Sequence, residues 1–146
     1  MRAGLEQGLI IAIKGDREEK PVDRLEHIFE LQERFDRDLA RRRQLPDYSP
    51  AEWIQKEVLA IVAELGELLD EVNFKWWKNP HPLDHEAIKG ELVDILHFLV
   101  SMCLKAGITA EDFYQAYLAK NQVNFRRQQG LTDQKEYAAG WADKEE

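Results

Sequence analysis

The chain has a single cysteine, Cys103, so no internal disulfide can staple it, and it fits a reducing compartment. Long apolar runs are missing as well. The run near the N-terminus, Leu9 to Ile13, is shorter than the core of a secretion signal, and no run approaches the ~20 residues of a membrane span. A cytoplasmic protein with no membrane partner is therefore expected. Positive charge is in deficit: 20 Lys plus Arg stand against 28 Asp plus Glu, a formal charge of −8. Proteins that grip nucleic-acid phosphates carry the opposite balance, which disfavours DNA or RNA as a partner. Glycine and proline are scarce, 8 and 5 in 146 residues, and most of them fall between periodic segments. No stretch alternates at the strand period for more than a few residues, and no internal repeat is present. What is left is one small acidic all-α domain with four tryptophans to account for.

Its periodic segments read as helices with short connections. Residues 1–20 stand apart as an N-terminal arm or lead-in: a short apolar patch, then the charged run Lys14 to Lys20. A first helix is predicted from about Val22 to Arg43, where Leu25, Ile28, Phe29, Leu31, Phe35 and Leu39 recur at threes and fours. Ser49, Pro50 and Glu52 announce the second: a cap, a proline at the first helical position and a capping-box partner. That helix should continue to about Asn73, and Lys75 to Pro82 should form a loop, because its two prolines end any helix. The third spans roughly Asp84 to Lys105 and stops at Gly107, a candidate left-handed cap. Thr109 opens the fourth, with Asp112 as its capping partner, and this helix runs to about Gln128. A polar tail, residues 131–146, follows. Residues 21–130 are thus expected to form a four-to-five-helix bundle.

Chemistry concentrates on the second and third helices. At about 100° per residue, Glu64, Glu67 and Glu71 lie within roughly 60° of one another, and Glu57 joins the stripe two turns earlier. Alone, that is an ordinary amphipathic helix. The third helix is different, because from Ile88 to Leu104 it is apolar nearly all round, which implies burial. Glu91 and Asp94 nevertheless sit three apart on one of its faces, and His97 and Ser101 extend the stripe. A buried, unpaired carboxylate costs several kcal/mol, so these groups need a cation, a metal or a proton. Lys89, the local cation, falls on another side of the helix. Two acidic pairs on facing helices can share one divalent ion, and hard oxygen ligands select Mg²⁺, Mn²⁺ or Ca²⁺ over zinc. Carboxylate-held Mg²⁺ commonly completes its shell with water and substrate phosphates, which points to nucleotide or pyrophosphate chemistry. The plain alternative is a carboxylate cluster paired with arginine from another helix.

Glu64-Leu65-Gly66-Glu67 followed by Glu91-Leu92-Val93-Asp94 resembles the ExxE…ExxD pattern of the all-α nucleoside triphosphate pyrophosphatases, which include MazG-like proteins, dCTPases and dimeric dUTPases. The flanking Phe74-Lys75-Trp76-Trp77, Val93-Asp94-Ile95-Leu96-His97-Phe98, and Lys120-Asn121-Gln122-Val123-Asn124 with Arg127-Gln128 resemble the dimeric dUTPase branch, over about Leu25 to Gly130. The resemblance implies a homodimer that hydrolyses dUTP, with dUDP a further candidate substrate, to dUMP and pyrophosphate. It implies Mg²⁺, two or more ions per site with Mn²⁺ as a substitute, held by Glu64, Glu67, Glu91 and Asp94. Glu67 or Glu64 would also activate the attacking water, with Glu67 preferred.

Substrate contacts follow from the same resemblance. Lys75, Lys120, Asn121, Asn124 and Arg127 offer donors to phosphates, although each is also an ordinary surface residue. Phe98, one turn past Asp94, could pack on the sugar, or simply fill the core. Trp76 could wall the base pocket, and Gln32 resembles the uracil-reading amide. Asp36 departs from the asparagine that relatives often carry, and a carboxylate accepts hydrogen bonds but cannot donate one to a carbonyl. His97 is expected to be a hydrogen-bonded core residue rather than a catalytic base. Two other readings compete. One is a MazG-like or dCTPase-type pyrophosphohydrolase of different base specificity. The other is a non-catalytic acidic helical module that binds a basic partner, against which the acids of a buried helix argue.

Overall fold

A computed structural model describes residues 23–132. The expected arm at 1–20 lies outside those residues, as does the expected tail beyond Thr132. Among the described residues there are four helices and no strand: α1 (Arg24–Arg43), α2 (Pro50–Glu71), α3 (His85–Lys105) and α4 (Ala110–Gln128).

Local chemistry sets their ends. Ser49 and Thr109 each accept from the backbone of the residue three ahead, while Glu52 and Asp112 return to the cap's own N–H. Each pair satisfies two backbone donors that a helix start otherwise leaves bare. Asp23 and Asp84 cap α1 and α3 in the simpler manner, each accepting from two backbone N–H groups. Gly107 ends α3 at φ 73°, with the Ile108 N–H bonded to the Cys103 carbonyl at 2.8 Å. A glycine takes that left-handed conformation without a Cβ penalty. Between α2 and α3, Asn73 has φ 58° and clamps His81 from both sides: its Oδ1 accepts from the His81 N–H at 2.8 Å, and its Nδ2 donates to the His81 carbonyl at 2.9 Å.

Side-chain bonds reveal the packing directions. Glu57, early in α2, meets Ser101, late in α3, whereas Glu64 and Glu67, later in α2, meet Glu91, early in α3. These two helices are therefore antiparallel. Gln32 meets His97 and Asp36 meets Ser101, so α1 runs parallel to α3. The core of Phe29, Val100, Cys103 and Ala110 lies where α1, α3 and the first turn of α4 converge. Phe113 adds a ring 6.2 Å from that of Phe29. Trp53 packs edge-on against Tyr48, with the Lys105 ammonium 4.7 Å from its ring centre.

One expectation needs correction. The even apolarity of α3 predicts burial along its whole length, yet only its second half is buried, at Val100, Ser101 and Cys103. Leu92 and Val93 in the first half are exposed. The first turn of α4 covers only the C-terminal end of α3, and two flanking helices cannot surround the rest. Among the described residues no single helix is long and apolar enough to cross a membrane.

Ser49→Ala removes one capping acceptor and is expected to cost about 1 kcal/mol of stability, read from the urea-unfolding midpoint. An unchanged midpoint would mean that the α2 cap contributes nothing.

Candidate active site

Antiparallel packing brings the acidic turns of α2 and α3 together. Carboxylate oxygens of Glu64, Glu67 and Glu91 all lie within 4.8 Å of one another. Glu91 is half-buried, and its Oε2 is shielded from solvent without a hydrogen-bond partner. Burial pushes its carboxyl above the ordinary glutamate range, and the charges of Glu67, Glu64, Asp94 and Glu71 push it further. Among the described residues, no lysine or arginine forms an ion pair with any of the three, and Lys89 bridges Glu86 instead. The arginine-paired alternative therefore finds no support there. An all-oxygen set with one orphaned buried oxygen fits a hard divalent cation. Asp94 stands outside the close trio and lines the cavity beside it.

That cavity, about 430 Å³, opens between α1, α2 and α3. Glu64 and Asp94 form its acidic end, and Phe98, Phe35 and Leu39 supply apolar walls. Gln32, Asp36, Glu57, His97 and Ser101 form its polar floor. Gln32, Glu57 and Ser101 are all buried, so each needs a hydrogen-bond partner. Gln32 Nε2 donates to Asp36 Oδ1 at 2.8 Å, and His97 Nδ1 lies 2.6 Å from Gln32 Oε1. Ser101 Oγ is 2.6 Å from Asp36 Oδ2 and 2.7 Å from Glu57 Oε1, and Lys105 Nζ donates to Asp36 Oδ2 at 3.1 Å.

The residues singled out from sequence thus divide. Gln32, Asp36, Glu64, Asp94 and Phe98 share one cavity, and Glu67 and Glu91 adjoin it through Glu64. The loop residues do not reach it. Lys75 pairs with Asp70 at 2.6 Å and lines a separate polar cleft with Asn73, Lys78 and His81. Trp76 is 84% exposed, its ring edge-on to Trp77 at 5.5 Å. Lys120, Asn121, Asn124 and Arg127 lie on α4, which packs against α1 and contributes no wall to this cavity. His97 is hydrogen-bonded as expected, but it is exposed on the cavity floor and not part of the core. Lys105 went unnoticed in the sequence, although it lies one turn past Ser101 on the same stripe.

Metal-free protein should be destabilised by this cluster as pH rises. A raised Glu91 carboxyl means that the folded state keeps its proton to higher pH than the unfolded chain does. Its contribution to stability is therefore full at acid pH and is lost as pH climbs through the raised value. Glu91→Gln should flatten that decline and raise the metal-free Tm at neutral pH. It should also weaken the Tm increase that saturating Mg²⁺ gives the wild type. A wild-type Tm indifferent to Mg²⁺ would contradict the metal fit.

Comparison with known proteins finds related chains. A family model described as dUTPase matches residues 24–109, the stretch holding the cavity and all four acids. It stops before the α4 residues Lys120, Asn121, Asn124 and Arg127. The dCTP pyrophosphatase of Enterobacteria phage T4 is 33% identical over 50% of this chain and 51% of its own length. The dCTP pyrophosphatase of Enterobacteria phage LZ5 is 32% identical over 51% of this chain and 43% of its own length. The chain spans about half the length of the curated relatives it matches. No solved structure matches it. With more than half of its residues under the family model, including every helix that builds the cavity, the chain belongs to the dUTPase family.

Proposed function

We propose that this chain is a Mg²⁺-dependent pyrophosphatase of deoxypyrimidine nucleoside triphosphates, releasing the monophosphate and pyrophosphate. The observation that carries it is the Glu64–Glu67–Glu91 cluster, unpaired among the described residues and with an orphaned Glu91 oxygen, at one end of a cavity with the volume of a small-molecule site. Two bases are in contention. The family and the motifs around Phe74 and Val93 favour dUTP, with dUDP as a second substrate, whereas the phage relatives carry the name dCTP pyrophosphatase.

Glu64, Glu67, Glu91 and Asp94 are the residues to hold the metal, and a bound Mg²⁺ would neutralise phosphate oxygens and acidify a water. Glu67 is the most exposed of the close trio, so a proton it takes from the attacking water can pass to solvent. Glu64 faces the cavity and orients the water against the α-phosphorus. Phe98 packs on the sugar between the acidic end and the polar floor, where a 2′-hydroxyl would meet its ring.

A homodimer in the cytoplasm is part of the same proposal. Leu59 is 69%, Val62 58% and Phe125 64% exposed in the single chain, apolar surface that a second copy would cover. Sedimentation equilibrium should return twice the chain's mass, and a monomer at every concentration would refute the dimer.

Purified protein with Mg²⁺ should release pyrophosphate from dUTP or dCTP in preference to dTTP and UTP; comparable rates on all four would defeat the reading. Glu67→Gln should lower kcat at least ~100-fold, the usual size of a general-base contribution, with the helical circular-dichroism signal retained. Undiminished turnover would remove Glu67 from that role.

A further inference from the structure

The polar floor has a fixed sense of hydrogen bonding. Ser101 has one hydroxyl hydrogen yet lies within bonding distance of two carboxyl groups, Asp36 at 2.6 Å and Glu57 at 2.7 Å. One carboxyl must supply the second hydrogen. Burial pushes Glu57 above the ordinary glutamate range, whereas Asp36 accepts from the Lys105 ammonium. Glu57 therefore donates to Ser101, Ser101 donates to Asp36, and Asp36 remains a pure acceptor. Facing a pure acceptor, Gln32 must turn its amide nitrogen toward Asp36, which leaves its oxygen to accept from His97 Nδ1–H. Lys105 stands behind this floor, lining the cleft on the far side with Trp53, so its charge orders the chain without entering the cavity.

We propose that Asp36 is the base-selecting residue and that it selects a pyrimidine bearing an exocyclic amino group over one bearing a carbonyl in its place. The inference rests on the nucleotide reading above. The acidic end of the cavity and the floor are separated by the seven residues from Glu64 back to Glu57, about 10 Å along a helix. With the phosphates at the acids, the base edge reaches Asp36. An amino group donates to that carboxylate. Uracil instead sets a carbonyl oxygen against it, and its imide N–H is flanked by two carbonyls that both need donors. Gln32 has one uncommitted amide hydrogen for the pair. Sites built around one hydrogen-bond pattern reject the mismatched analogue strongly, because buried groups are left unpaired.

The test separates base choice from chemistry by measuring binding of the non-hydrolysable α,β-imido analogues of dCTP and dUTP, with Mg²⁺, to the wild type and to Asp36→Asn. The wild type should bind the cytosine analogue at least ~100-fold more tightly, and the variant should narrow that ratio at least ~10-fold, within the range seen for sites that read a hydrogen-bonding group. A ratio is unaffected by any loss of folded protein. As a readout free of ligand, ¹⁵N NMR should find the His97 proton on Nδ1 in the wild type. In Asp36→Asn the Gln32 amide turns over and the proton moves to Nε2. Equal binding of both analogues, uracil preference, or a ratio and tautomer unchanged in the variant would overturn the proposal while leaving the pyrophosphatase reading intact. Binding of neither analogue would overturn both. Cytosine-selective binding without turnover of dCTP would uphold base selection and defeat the pyrophosphatase.

Discussion

Repulsion between like charges is the constraint on which this molecule turns. Packing α2 against α3 in antiparallel fashion forces Glu64 and Glu67 against Glu91, and among the described residues no lysine or arginine pairs with them. Such an arrangement is unfavourable in isolation, and the cost has to be offset by a proton or a cation. Helix caps at opposite ends of the pair fix where α2 and α3 begin. Strain of this kind, fixed by structure elsewhere, is what a preorganised metal site requires.

Around that cluster the cavity is graded. Its acidic end can hold phosphates only through a metal, its walls include Phe35, Leu39 and Phe98, and its floor is a chain of hydrogen-bonded polar groups. The grading follows from the heptad-like spacing of α2 and α3, in which a step of seven residues returns to the same face two turns on. Glu57 and Glu64 are one such step apart, as are Asp94 and Ser101. The net negative charge that argues against nucleic acid thus includes the groups that suit a metal–nucleotide ligand.

Much of this was legible in the sequence because it is encoded locally. Helix ends lie within a residue or two of their predicted places, since Ser49, Thr109, Asp84 and Gly107 act on backbone atoms beside them. The acidic cluster was legible because two i, i+3 pairs can share a partner only if their helices face each other. Less could be read where the answer depended on distance between elements. Nothing in the local pattern shows that Lys75 turns to Asp70, or that α4 leans on α1 and away from the carboxylates. The burial of α3 was overread for a related reason. Apolar residues on all sides show that something covers them, without showing whether the cover comes from the same chain. Lys105 escaped notice because a lysine near a helix C-terminus already has a sufficient reason to be there.

The two-sided grip of Asn73 on His81 bears on all of this. By pinning the chain eight residues on, it shortens the effective tether between α2 and α3. A shorter tether leaves less room for one helix to slip along the other. Slippage by a single turn would part Glu67 from Glu91 and leave Glu57 without Ser101. Axial phase between two helices, set by one amide in a turn, thereby governs whether four separate acids constitute a site at all.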